Sequence, residues 1–205
     1  MNLKERFSAV CLPFTHDQKL IEKLWSEIEK KYSEKGRHYH NLTHLDSLFS
    51  ELDAVKDRIS NYSNISFSVF YHDVIYDASS KSNEEKSADF AKAKLQELTI
   101  DAFDLSKIHH QILATKAHER SDDEDINYLL DADLSILGKN QEVYMDYTQK
   151  IRKEYSIYPD LLYKPGRRKV LKHFLAMEPI FKTEYFREKY EEQTKRNIQW
   201  EIDNL

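Results

Sequence analysis

Ile126-Asn-Tyr-Leu-Leu-Asp-Ala-Asp-Leu-Ser-Ile-Leu-Gly138 carries its apolar residues at helical spacing, with Ile126, Leu129, Leu130, Leu134 and Leu137 along one stripe. Asp133 falls one turn after Leu129 and Leu130 and one turn before Leu137, so it shares their inward face. Asp131 lies two residues earlier, ~200° round the helix, on the solvent side or at most in a supporting position behind a site. A carboxylate that faces a core without a cation is strongly disfavoured. Asp133 is therefore assigned as a metal ligand, and substitution of Asp131 is expected to have only a modest effect.

The surrounding chain reads as helix after helix. Thr15 with Gln18, Ser82 with Glu85 and Ser121 with Glu124 have capping-box spacing. Leu20, Ile21, Leu24, Trp25 and Ile28 form a stripe that Gly36 is placed to stop. A second helix is expected from near His40, with Leu45, Leu48, Phe49 and Leu52 on one face. The run Ile65–Tyr76 is rich in aromatic and β-branched residues and read alone suits a strand; its helical neighbours make it a buried helix. Further helices are expected near 83–98, 101–114, 122–137, 141–156, 167–177 and 183–202, separated by Gly138, Pro159, Pro165-Gly166 and Pro179.

Composition agrees with an all-α domain. Three glycines and four prolines in 205 residues are too few for a chain of many strands and tight turns. The length suits one domain over 1–205, with core motifs at 37–138 and the helices of 141–202 packing on them. A 40% hydrophobic and 33% charged composition is that of a globular chain. No apolar run approaches membrane-spanning length, and no leader is evident. The lone Cys11 fits a reducing compartment, so a cytoplasmic location is expected. A formal net charge of -5 argues against nucleic acid as the main partner.

Two further segments carry ligand-type side chains. His40 and His44 are four residues apart, so on one helix they would project from the same face. They could share a metal, or one could bind while the other faces substrate; an isolated pair at this spacing is more often structural. His72-Asp73 sits inside Phe67-Ser-Val-Phe-Tyr-His-Asp-Val-Ile-Tyr76, where a buried carboxylate needs a compensating charge. Arg37, His38 and Tyr39 add a polar, aromatic cluster just upstream.

Arg37-His-Tyr-His-Asn-Leu-Thr-His44, His72-Asp-Val-Ile-Tyr-Asp77, Asn83-Glu-Glu-Lys-Ser-Ala88, Ile112-Leu-Ala-Thr-Lys-Ala-His118, Asp131-Ala-Asp-Leu-Ser-Ile-Leu-Gly138 and Ile151-Arg-Lys-Glu-Tyr155 together resemble a bacterial group of metal-dependent phosphohydrolases of the HD superfamily. The similarity runs from about Trp25 to the C-terminal helix. It implies an all-helical bundle with a metal between central helices, held by the ordered set His44, His72, Asp73 and Asp133. The core is also similar to that of cyclic-nucleotide phosphodiesterases, which implies that His40 of Tyr39-His40-Asn41 is a general acid and that Asp133-Leu134-Ser135 supplies the last carboxylate.

Two imidazoles and two carboxylates suit a divalent ion of intermediate hardness: Mn, Mg, Co, Ni, Zn or Fe. Such an ion activates water and polarises a phosphoryl oxygen. The expected activity is hydrolysis of a nucleotide or other small phosphate ester. Arg37, Lys116, His118 and Arg167 are candidates for holding the phosphate, and Glu84 and Asp131 for supporting positions. Glu84 also lies in a first helical turn, where acids are favoured anyway. The numerous Tyr and Phe residues fall at helical spacing and are expected in the core. Two other readings remain open: a metal-holding regulatory or ligand-binding module with little turnover, and an inositol-oxygenase-like di-iron oxidoreductase. The latter needs extra histidines, for which only His109, His110 and His118 are available.

Overall fold

The computed structural model describes all residues 1–205 and is all-helical. Ten α-helices follow in order: α1 (Leu3–Cys11), α2 (Gln18–Tyr32), α3 (Leu42–Asp53), α4 (Tyr62–Tyr71), α5 (Asn83–Leu95), α6 (Ala102–Ala114), α7 (Glu124–Leu134), α8 (Gln141–Glu154), α9 (Asp160–Ala176) and α10 (Glu184–Asn204). Two 3₁₀ turns, Lys56–Arg58 and Ser135–Gly138, complete the set. No helix is long and apolar enough to cross a membrane.

The run that could have been a strand is α4, and it lies at the centre. It packs on α1, α3, α5, α6 and α7. Every residue from Asn64 to Tyr71 is buried, which explains why its sequence shows no amphipathic alternation. Around it Phe7, Trp25, Phe49, Phe67 and Phe70 meet edge-on or tilted, with Phe7 and Phe70 centroids 5.1 Å apart. One apolar cluster continues from Leu3 in α1 to Ile198 in α10, so the C-terminal helices share the core of the rest.

The helix boundaries correct several sequence expectations. Helix α1 was not foreseen; it carries a true capping box, with Asn2 and Glu5 bonding each other's backbone amides. Asp17, not Thr15, caps α2, and Asp123, not Ser121, caps α7. Thr15 and Ser121 instead accept from the amides of Asp17 and Asp123, two residues upstream of the cap. Ser82 stands at the N-cap of α5, but its side chain makes no capping bond. His40 lies outside α3, whose N-cap is Asn41, so His40 and His44 do not share a helix. Pro165-Gly166 does not separate helices either: α9 runs straight through both. The carbonyl that loses its partner at Pro165 belongs to Leu161, which is 84% exposed and open to solvent.

The turn Ser135–Gly138 is the seat of α10. A Cβ placed on Gly138 would lie 2.5 Å from Cβ of Tyr190 and 2.9 Å from Oγ1 of Thr194. The first of these atoms is fixed by its own backbone and cannot swing away. Asn197 reinforces the seat by donating to the carbonyls of Leu137 and Lys139 at 2.8 and 2.7 Å. Gly138→Ala should therefore destabilise the protein by about 1–3 kcal/mol through overpacking, measured by chemical denaturation. Gly166→Ala, with nothing within 4 Å of its Cβ position, is the matched control and should not destabilise.

Candidate functional site

The first turn of α3, the end of α4 and the end of α7 meet at one point. His44 sits three residues after the N-cap Asn41, whose carbonyl accepts its amide at 3.0 Å. His72 caps the C-terminus of α4, its amide bonded to the Ser68 carbonyl at 2.8 Å. Asp133 is the penultimate residue of α7. His44, His72 and Asp133 each offer a ligand atom, all within 4.8 Å of one another, and this group could hold a metal ion. His44 Nε2 is 3.2 Å from His72 Nε2 and 3.3 Å from Asp133 Oδ1. Asp73 Oδ2 approaches the same imidazoles, 3.2 Å from His72 Nε2 and 3.7 Å from His44 Nε2.

The donor set fits a cation. His72 Nδ1 faces the Val69 carbonyl at 2.9 Å, which leaves Nε2 pointing at the cluster. Both imidazoles are buried, with two carboxylates beside them. Burial works against a charged His72, but Asp73 and then Asp133 raise its pKa to about 9. Burial pushes His44 below the usual imidazole value, despite the Asp133 carboxylate. Burial alone would raise the pKa of both carboxylates. His72 and His40 hold Asp73 below the ordinary range, and His118 and His44 do so for Asp133.

His40 stands beside the group rather than in it. Its Nε2 lies 3.9 Å from Asp73 Oδ2, and its Nδ1 is 2.6 Å from Glu154 Oε2. The ring stacks on Tyr76 at 4.3 Å. Glu154, on α8, accepts the backbone amides of His38, Tyr39 and His40 at 2.7–2.9 Å, and Tyr76 donates its hydroxyl to the other oxygen. Burial opposes the charge on Glu154, but the His40 imidazole and these amides hold its pKa at about 2. Glu154 and Tyr76 were not singled out from the sequence. The phase argument used for Asp133 would have found Glu154, which shares a helical face with the buried Tyr144, Tyr147 and Ile151.

His118 also reaches the group, its Nε2 3.0 Å from Asp133 Oδ2. Its backbone is left-handed, φ 52°, a conformation that costs a non-glycine residue about 1–3 kcal/mol. Of the other spare histidines, His109 pairs with Asp89 at the surface and His110 is exposed, so neither joins the site.

The remaining candidates sort differently from expectation. Arg37 is buried and does not line the cavity described below. Its guanidinium donates to the carbonyls of His40, Asp73 and Val74, tying the two loops of the site together. Lys116 is exposed and bonds Glu85 and the Lys81 carbonyl. Glu84 stays in the first turn of α5 and takes no part in these hydrogen bonds. Asp131 is the clearest correction. It is fully buried, not solvent-side, and accepts the amides of Lys182 and Thr183 and the Thr183 hydroxyl at 2.7–2.8 Å, holding the start of α10. The reason is that α7 is buried on nearly every face, so the side opposite Asp133 is also interior.

Asp133, His40 and His118 open onto a cavity of about 580 Å³ between α7, α8 and α9. Arg167 lines it, but its guanidinium is bonded to Glu201 of α10 at 2.7 and 3.0 Å. Tyr39, Tyr147, Tyr155, Tyr158 and Tyr163 also line it, so a set of aromatics expected in the core forms the wall of a pocket. Set against protein-family models, curated proteins and solved structures, the chain finds no match in any of the three.

Two measurements check these assignments. Asp131→Ala should cost about 1–3 kcal/mol in denaturant titration, because it leaves buried amides without an acceptor. Glu154→Gln should melt lower than wild type at pH 7. Its folded-state pKa is depressed, so its contribution is present above about pH 4.5 and is lost as pH falls towards 2. The difference in Tm should close over that window; a difference constant with pH would mean the charge contributes nothing.

Proposed function

We propose that the chain is a metal-dependent phosphohydrolase acting on a small phosphate monoester or diester. The supporting observation is the convergence of His44, His72, Asp73 and Asp133 on one point, with His40 beside it, at the end of a cavity. The resemblance of these same residues to the HD signature adds support. Those four side chains would hold a divalent ion, which supplies an activated water and Lewis-acid polarisation of the phosphoryl group.

The chain's own residues do the rest. Asp73 and Asp133 fix the negative charge that retains the cation, and His118 orients Asp133. Glu154 and Tyr76 orient the His40 ring so that Nε2 faces the group. His40 gives its Nε2 proton to the leaving ester oxygen as the P–O bond breaks. Water supplies the new P–O bond, and a proton from that water restores His40. A monoester and one water become an alcohol and inorganic phosphate; a diester and one water become an alcohol and a monoester.

Metal content, melting and turnover test this. The purified protein should bind a stoichiometric divalent ion among Mn, Mg, Co, Ni, Zn and Fe, and chelation should lower Tm. Asp133→Ala should lose the ion, whereas Asp131→Ala should keep it. His40→Ala should keep the ion and lose about 10²–10⁴-fold in kcat on an alkyl ester, with a smaller loss on nitrophenyl phosphate, whose leaving group needs no proton. A His40 variant that sheds the ion would make His40 a ligand instead.

A further inference from the structure

We infer that the cavity selects a phosphate monoester whose alcohol carries an apolar ring system, in preference to a nucleotide or any polyphosphate. Hydrolysis of that ester rests on the phosphohydrolase reading; the selection rests on the cavity wall. At about 580 Å³ the space is that of a small-molecule site, much larger than one phosphoryl group requires. Its metal end is polar, with His40, His118 and Asp133. Away from that end, apart from Ser79, Ser80 and Lys81 of one loop, the wall is mainly aromatic and aliphatic. Tyr155 stacks on Tyr158 with centroids 6.3 Å apart and planes at 30°, and meets Tyr163 at 6.1 Å. A flat ring can lie against such faces without any specific hydrogen bond.

The wall stacks a ring but does not offer the side-chain amides that distinguish one base from another. No asparagine or glutamine lines it, so no side-chain amide presents the paired donor and acceptor that read a base edge. Its one arginine, Arg167, is already neutralised by the bidentate bond to Glu201. Apart from the histidines at the metal end, Lys81 is the one remaining cationic side chain of the lining. A single phosphoryl group is served by the metal end. A second or third phosphate would have Lys81 alone to meet it and would otherwise press against tyrosine and aliphatic surface. The apolar wall continues to the mouth, where Leu162 and Val170 of α9 line the cavity while 61% and 44% exposed. A ring system too long for the interior could extend over them.

The test separates binding from turnover. 2-Naphthol is titrated into the protein and followed by its own fluorescence; it is then displaced by 2-naphthylmethyl phosphate, AMP, ADP and glycerol 2-phosphate. The naphthylmethyl ester leaves as an alkyl alcohol, as AMP does, so leaving-group reactivity does not bias a parallel kcat/KM comparison. Naphthol should bind saturably. The naphthylmethyl ester should displace it at concentrations at least tenfold lower than AMP, and ADP should be weaker than AMP. Val170→Asp, a change at a half-exposed wall position, should keep the wild-type Tm and lose at least tenfold in affinity for the naphthylmethyl ester, with little change for AMP. Absence of naphthol binding, AMP or ADP displacing it as well as the aryl ester, or an equal loss of both ligands in Val170→Asp overturns the selection. Binding in the expected order with no hydrolysis of any ester supports the selection and refutes the phosphohydrolase reading instead.

Discussion

A carboxylate removed from water must be surrounded by donors or cations, and this fold is organised by how it meets that demand. Asp125 takes the amides of Ser60 and Asn61, Asp131 those of Lys182 and Thr183, Glu191 those of Ile180 and Phe181, and Glu154 those of three consecutive residues, His38 to His40. Each grips a stretch of loop that has no ladder or helix to satisfy its amides. Three of these four carboxylates thereby pin a connection to a helix at least 51 residues away, and Glu191 pins one to the helix that follows it. Other buried carboxylates face side-chain cations, Glu51 two lysines and Glu201 an arginine, and Asp73 and Asp133 are met differently again. They receive no such run of amides and face imidazoles instead. The group that Asp133 forms with His44 and His72 could hold a metal ion.

The same arithmetic explains the division of labour around His40. Had Glu154 been exposed, its bond to the imidazole would be one of many weak surface contacts. Buried, and already committed to three amides, it cannot turn away, and the ring it holds is further confined by the stack on Tyr76. Arg37 performs a related service from below, joining the His40 loop to the Asp73 turn through their carbonyls. Both residues position the site without forming its cavity wall.

Much of this was legible one helix at a time. The stripe of Ile126, Leu129, Leu130 and Leu137 placed Asp133 inward, and the embedding of His72-Asp73 in an apolar run marked it as a buried, compensated pair. The all-helical class followed from spacing and from scarce glycine and proline. What failed did so for identifiable reasons. A helical wheel distinguishes two sides only when one of them is wet, and α7 is dry on both, so Asp131 was misplaced. Capping signals at Thr15 and Ser121 competed with an aspartate two residues on, and the carboxylate won both helix starts. Pro165-Gly166 reads as a break, but a proline whose orphaned carbonyl faces solvent need not end a helix.

The sequence by itself determined the helical class and the inward position of Asp133, because periodicity is a property of neighbours along the chain; His44, His72 and Asp73 were joined to it only by what the resemblance implies. Tertiary structure decided what those residues face. Only the packing of α8 against the loop before α3 brings Glu154 to His40, 114 residues apart. Only the passage of α9 over α7 and α8 turns scattered tyrosines into one wall and leaves Arg167 bound to Glu201 rather than free for a phosphate. Contacts of that kind depend on which helix faces lie opposite each other, and no pattern within a single helix encodes its opposite face.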